Sequence, residues 1–189
     1  MLMKPLFVLA MALGIAVSFS GCNGDRNPPQ SKTSHTLTFA DAGVSLVVGE
    51  GWQYDPLNAP HTLRPPTLQS PAGTIRVILL PRDLADLNSV ADGLRKAFEQ
   101  DRRSLKHSFR RQELRGVNGL RIISVSYDQN TEKGGRAVEM ENHHFLVTNR
   151  DGRCVAINCL AEAGTDAASL GRMVTGGLSV SERNFAASP

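Results

Sequence analysis

Glu139, Glu141 and His143 follow one another at intervals of two residues, the spacing that sends all three to one face of a β-strand and His144 to the other. Two carboxylates and an imidazole on one face form a donor set for zinc or another divalent ion, and on that reading the chain is a metal-dependent enzyme or hydrolase. A solvent-facing strand with ordinary polar residues has the same pattern, and no HExxH or similar spacing strengthens the metal set. His35, His61 and His107 are isolated in sequence. No serine lies in a G-x-S-x-G elbow, and no Ser-His-Asp order has a supporting context. The pairs Gly134-Gly135 and Gly176-Gly177 lack the strand-loop-helix setting of a phosphate cradle. No residue is assigned as catalytic, and no cofactor is implied.

A second feature is basic. Arg95, Lys96, Arg102, Arg103, Lys106, Arg110, Arg111, Arg115 and Arg121 outweigh Glu99, Asp101 and Glu113, so this window carries about +6 while the rest of the mature chain is acidic. Within it, Arg102, Arg103, Lys106, Arg110 and Arg111 form a candidate surface for an envelope protein or another anionic partner; a solvated helix face and edge strand is the plainer reading. Only Phe98 and Phe109 supply aromatic rings there, too few for stacking bases, so nucleic acid is not expected. Trp52 and Tyr54 are candidates for the floor of a ligand pocket, although a lone tryptophan after an opening hairpin is more often a core or rim residue.

The remaining residue with chemistry of its own is Cys22. It follows a short cationic start at Lys4, an apolar stretch of roughly 15 residues ending at Phe19, and the small pair Ser20-Gly21. That stretch is short for a membrane span of about 20 residues. Phe19-Ser20-Gly21-Cys22 resembles the bacterial lipobox, with phenylalanine where that motif usually has an aliphatic residue. The resemblance implies cleavage of residues 1–21 as a signal peptide, acylation of Cys22 (palmitate or similar chains) and export to a membrane surface. Several acyl chains at about 0.8 kcal/mol per buried methylene anchor far more firmly than one. Asn23 in place of aspartate fits sorting to the outer membrane, facing the periplasm.

Residues 22–34 are polar and contain Asn27-Pro28-Pro29-Gln30, a flexible stalk that would hold the domain about 20 Å from the lipid. Residues 35–181 suffice for one globular domain with its own core, and 182–189 read as a tail. Without Lys4 there are 20 basic and 18 acidic residues, a balance too even to select a ligand. Cys154 and Cys159 fall in one predicted strand, which separates their Cα atoms by roughly 16 Å. A disulfide needs less than about 7 Å, so both are expected to be buried, shielded thiols.

Alternation predicts an opening hairpin, Thr36 to Ala40 and Val44 to Val48, around a turn at Asp41-Ala42-Gly43. His61 to Ser70 contains Pro65-Pro66 and is at best an edge strand. Ile75 to Leu80 is nearly continuously apolar and belongs deep in a sheet. A helix comes next, from about Ser89 to Arg102, capped by Asn88 or Ser89, with Val90, Leu94, Ala97 and Phe98 on its apolar face. Strands at Ser108–Arg115, Leu120–Tyr127, Arg136–Thr148 and Arg153–Ala161 form an antiparallel meander, and a last helix runs from about Asp166 to Leu178. Val138, Met140 and Leu146 share one parity while Phe145 and Val147 share the other. This calls either for a bulge near Asn142-His143-His144 or for a strand apolar on both faces at one end.

This order resembles that of the PsbP-like and DcrB-like domains: Gly43-Val44-Ser45-Leu46 and Gly51-Trp52 in the opening hairpin, a helix after the first core strand, a meander, and a close near Gly177-Leu178-Ser179-Val180. The resemblance implies an α+β fold, an antiparallel sheet of about six to seven strands covered by two main helices, an α/β/α sandwich. It also implies a binding or assembly role without catalytic residues. The expectation is therefore a membrane-tethered lipoprotein acting as a non-catalytic binding or assembly module of the cell envelope. The alternatives are a metal-dependent envelope enzyme using Glu139, Glu141 and His143, and a purely structural lipoprotein.

Overall fold

Leu37 and Phe39 alternate with polar residues to form β1 (Ser34–Phe39), and the turn after it reverses the chain into β2 (Val44–Gly49). Gly43 adopts φ +67°, a conformation that side chains with a Cβ rarely take, while its amide donates to Phe39 O at 2.8 Å to close the turn. The computed structural model describes residues 34–55, 61–65, 73–133 and 135–181. The expected signal peptide, Cys22, nearly all of the stalk and the tail lie outside the described residues. No helix among the described residues is long and apolar enough to cross a membrane.

Two sheets form. In the smaller, β1 and β10 (Leu178–Val180) flank β2, antiparallel on both sides. The larger has seven strands in the order β3 (Gln53–Tyr54), β4 (Thr62–Arg64), β5 (Thr74–Leu79), β9 (Cys154–Glu162), β8 (Arg136–Thr148), β7 (Arg121–Lys133) and β6 (Arg110–Arg115). Every neighbouring pair is antiparallel. With helices α1 (Leu87–Gln100) and α2 (Thr165–Gly177), this is the expected α+β class. The opening hairpin, however, builds its own sheet with β10 instead of joining the large one.

The two faces of the large sheet carry separate cores. Ile122, Phe145, Val147, Val155, Ile157 and Cys159 pack against Leu170 and Val174 of α2 and against Phe39, Val44 and Leu46 of the small sheet. Ile123, Val125, Leu146, Cys154 and Ala156 face the other way, onto Leu87, Ala91 and the half-buried Val90 and Leu94 of α1. A fully buried side chain of this size contributes about 1.5–3 kcal/mol, so both layers are held mainly by apolar burial.

Several local expectations change. The cap of α1 is Asp86, whose carboxylate accepts from Ser89 N at 2.9 Å and Ser89 Oγ at 2.6 Å, so the helix starts earlier than its first apolar repeat suggests. Ala97 is exposed, and Leu87 and Ala91 take its place on the buried face. The Pro65 segment yields only the three-residue β4, one strand in from the edge. No bulge interrupts β8, whose register with β7 and β9 is continuous; Phe145, Leu146 and Val147 are all fully buried because both faces are covered there. Cys154 and Cys159, five apart, point to opposite cores as free thiols.

Candidate functional site

Glu141 and His143 share a face of β8, as their spacing requires, and that face lies beneath α2. His143 Nδ1 is 3.6 Å from Glu141 Oε1, and its Nε2 is 2.7 Å from Ser124 Oγ on β7. The imidazole stacks on Phe145 with centroids 4.1 Å apart, and Gly171 of α2 packs over both rings. Burial lowers the His143 pKa to about 4, so the ring is neutral at pH 7. The carboxylate beside Nδ1 favours a proton there, which leaves Nε2 to accept from the Ser124 hydroxyl. Burial first, and the nearby Asp128 charge second, raise the Glu141 carboxyl.

Ser124, His143 and Glu141 thus have the connectivity of a nucleophile, a base and its orienting acid, but not the setting. Nucleophilic catalysis needs an open position about 3 Å from the hydroxyl and converging oxyanion donors. Ser124 is 5 % exposed, and its strand is paired on both sides, by β6 and by β8. The trio is a polar strut between strands β7 and β8, packed beneath α2. Glu139, exposed near the end of the same strand, does not join it, and no group of three His, Cys, Asp or Glu among the described residues is placed to hold a metal ion. Of the expected metal set Glu139, Glu141 and His143, strand parity brings only Glu141 beside His143, and the group within hydrogen-bond distance of the imidazole is the Ser124 hydroxyl.

His144, on the opposite face, stacks against Tyr127 at 5.8 Å, and its pKa is also lowered to about 4, by burial first and then by His143. Tyr127 in turn meets Phe98 of α1 at 5.3 Å. Consecutive histidines therefore sit neutral under the two helices.

The basic segment does not form one surface. Lys106 Nζ donates to Phe98 O, Glu99 O and Asp101 O at 2.8–2.9 Å, closing the C-terminal end of α1, and lies 5.2 Å from the Phe98 ring. Arg103 pairs with Asp101, and Arg111 with Asp92 and Asn88. Arg110 and Arg111 are adjacent on β6 and point to opposite faces, leaving Arg102 and Arg110 exposed without an ion pair among the described residues. Trp52 is 5 % exposed and belongs to the core, with its carbonyl accepting from His35 Nε2, so it does not floor an open pocket.

The sheet itself offers a surface that the sequence concealed. Helix α1 covers β7 and β8 and reaches β9 only near Cys154 and Ala156, so the same face of β5 is open. Arg76 is exposed there and Ile78 is 44 % exposed, although the apolar run predicted burial on both faces. Half-buried Asn158 and Leu160 continue this surface to a cavity of about 360 Å³ lined by Arg103, Gln129, Thr131, Met140 and Leu160, among others.

No family model matches the sequence, and no curated protein sequence does. Two solved structures are similar to the chain. Cyanobacterial PsbP (CyanoP) from Synechocystis is 14 % identical with a TM-score of 0.49, over 86 % of this chain and 98 % of that one. The Ran-binding protein Mog1p of Saccharomyces cerevisiae is 16 % identical with a TM-score of 0.45, over 79 % and 96 %.

Proposed function

We propose that the chain is a membrane-tethered, non-catalytic binding or assembly module of the cell envelope, anchored through lipidated Cys22 and engaging an envelope protein through the open part of the large sheet beside α1. The anchor is supported by the sequence around Cys22, and Asn23 favours an outer-membrane position facing the periplasm. The binding role is carried by one observation, the unequal cover of the sheet. On one side α2 and the small sheet seal the core, whereas on the other β5 presents Ile78 and Arg76 to solvent next to the 360 Å³ cavity. An apolar side chain rimmed by polar groups, beside a cavity, is the anatomy of a docking surface.

The anchor is tested by the intact mass of protein extracted from membranes. Acylated mass on wild type and its loss in Cys22→Ala are expected; an unmodified wild type would refute tethering. For the docking face, a photo-crosslinking residue at position 78 is compared in native envelopes with one at Val117, which is 45 % exposed outside that face. A discrete adduct from position 78 alone, abolished by Arg76→Glu, is expected. The same adducts from both positions, or none from 78, would refute it.

A further inference from the structure

A second cavity, of about 700 Å³, is built from three separate segments and uses none of the residues of the docking face. The β1–β2 turn supplies Asp41, the 3-10 turn at Arg82–Leu84 supplies Arg82, and the β8–β9 turn supplies Asp151 and Arg153. Asn149 holds two of these together. Its buried side chain donates to Ala42 O at 3.0 Å and accepts from Asp151 N and Arg153 N, both at 3.0 Å. The walls are therefore assembled by specific hydrogen bonds.

The charges inside are unusual in how they are used. Arg82 and Arg153 share the cavity with two aspartates, yet neither guanidinium is in an ion pair among the described residues. Arg153 Nη2 is fixed on Leu80 O at 2.8 Å while its Nε is buried with no acceptor. Asp41 is held by His61, Nε2 to Oδ2 at 2.8 Å, and that hydrogen bond keeps the carboxyl below the usual carboxylate range. His61 does this from φ +66°, a strained backbone for a non-glycine residue. Strain of this kind persists where a side chain must be aimed.

Two carboxylates would repel a simple anion and two guanidiniums a simple cation. A ligand carrying both signs meets complementary charge at each end. We propose that this cavity binds a small zwitterion, its phosphate or carboxylate on Arg82 and Arg153 and its ammonium towards Asp41 and Asp151. Its volume lies within the range of small-molecule sites. The same chemistry is found in a free phosphoethanolamine-type metabolite and in the headgroup of an ethanolamine phospholipid.

The test uses the soluble form of the full domain with its stalk and amide chemical shifts as readout. O-phosphoethanolamine should shift residues 41, 82 and 151–153 and bind at least tenfold more tightly than inorganic phosphate or ethanolamine alone. Arg82→Gln, an exposed substitution that leaves the fold intact, should weaken it at least tenfold, and Asp41→Asn should erase its advantage over phosphate. A parallel arm measures co-sedimentation with phosphatidylethanolamine vesicles against phosphatidylcholine vesicles. Retention there without binding of the soluble compound, lost in Arg82→Gln, assigns the site to the headgroup. Equal binding of phosphate and phosphoethanolamine, or no binding in either arm, would overturn the proposal. Because no docking-face residue is altered, these outcomes are independent of the partner experiment.

Discussion

The Ser124 hydroxyl and the His143 imidazole meet at 2.7 Å across two strands, 19 residues apart in sequence, with Phe145 stacked on the ring and Gly171 packed over both. Replacing Ser124 with alanine leaves Nε2 without its donor in a buried site, at a cost of about 1–3 kcal/mol. A lower urea midpoint with an unchanged slope is expected. Wild-type protein should also resist a fluorophosphonate probe at Ser124; stoichiometric labelling would contradict a closed strut.

Acid should weaken the fold before its carboxylates titrate. Both His143 and His144 have folded pKa values of about 4 against the ordinary histidine value of 6.5. Between these values the unfolded chain binds the protons first, so the stability is complete above about pH 6.5 and is lost as the pH falls toward 4. Each histidine accounts for roughly 3 kcal/mol over that window. The raised Glu141 pKa offsets part of the loss, since its folded form takes up a proton earlier. Urea titrations at several pH values should show this slope, and His144→Phe should reduce it; a flat profile from pH 7 to 4.5 would contradict the buried neutral pair.

Gly176 and Gly177 are neighbours at the end of α2 with opposite surroundings. A Cβ on Gly177 would lie 2.7 Å from Val47 O of β2, while one on Gly176 meets nothing within 4 Å. Gly177→Ala should therefore cost about 1–3 kcal/mol through overpacking. Gly176→Ala should gain a few tenths to about 1 kcal/mol from helix propensity. Thermal midpoints that move in the same direction for both variants would refute the distinction.

Lys106 is a cap and not a partner-facing charge. Lys106→Met keeps much of the stem's packing but removes the three bonds to the end of α1, with an expected loss of about 1 kcal/mol. Faster amide exchange confined to the last turn of α1 would report it.

Much of the architecture is legible along the chain because it rests on local periodicity. Alternation marks both strands of the opening hairpin, β8 has the boundaries its pattern suggests, and the spacing of Glu141 and His143 places them on one face. The sequence around Cys22 likewise carries a local expectation of export and acylation. Periodicity does not say what covers a face. The run from Ile75 to Leu79 is apolar on both parities, yet α1 leaves Ile78 open, while Phe145 and Leu146 are both buried because a helix lies on either side of β8.

The partners of the chemical groups were decided only by the tertiary structure. His143 found Ser124 through the register of β7 with β8. The basic segment was divided by helix capping and by the two faces of β6. Asp41 and Arg153 came together because Asn149 ties one turn to another 107 residues away, and Arg82 follows Leu80, whose carbonyl accepts from Arg153. Strand register and turn docking are long-range choices, set by which apolar faces bury each other. Local sequence therefore determined the elements and their sidedness, and global packing determined which side chains meet.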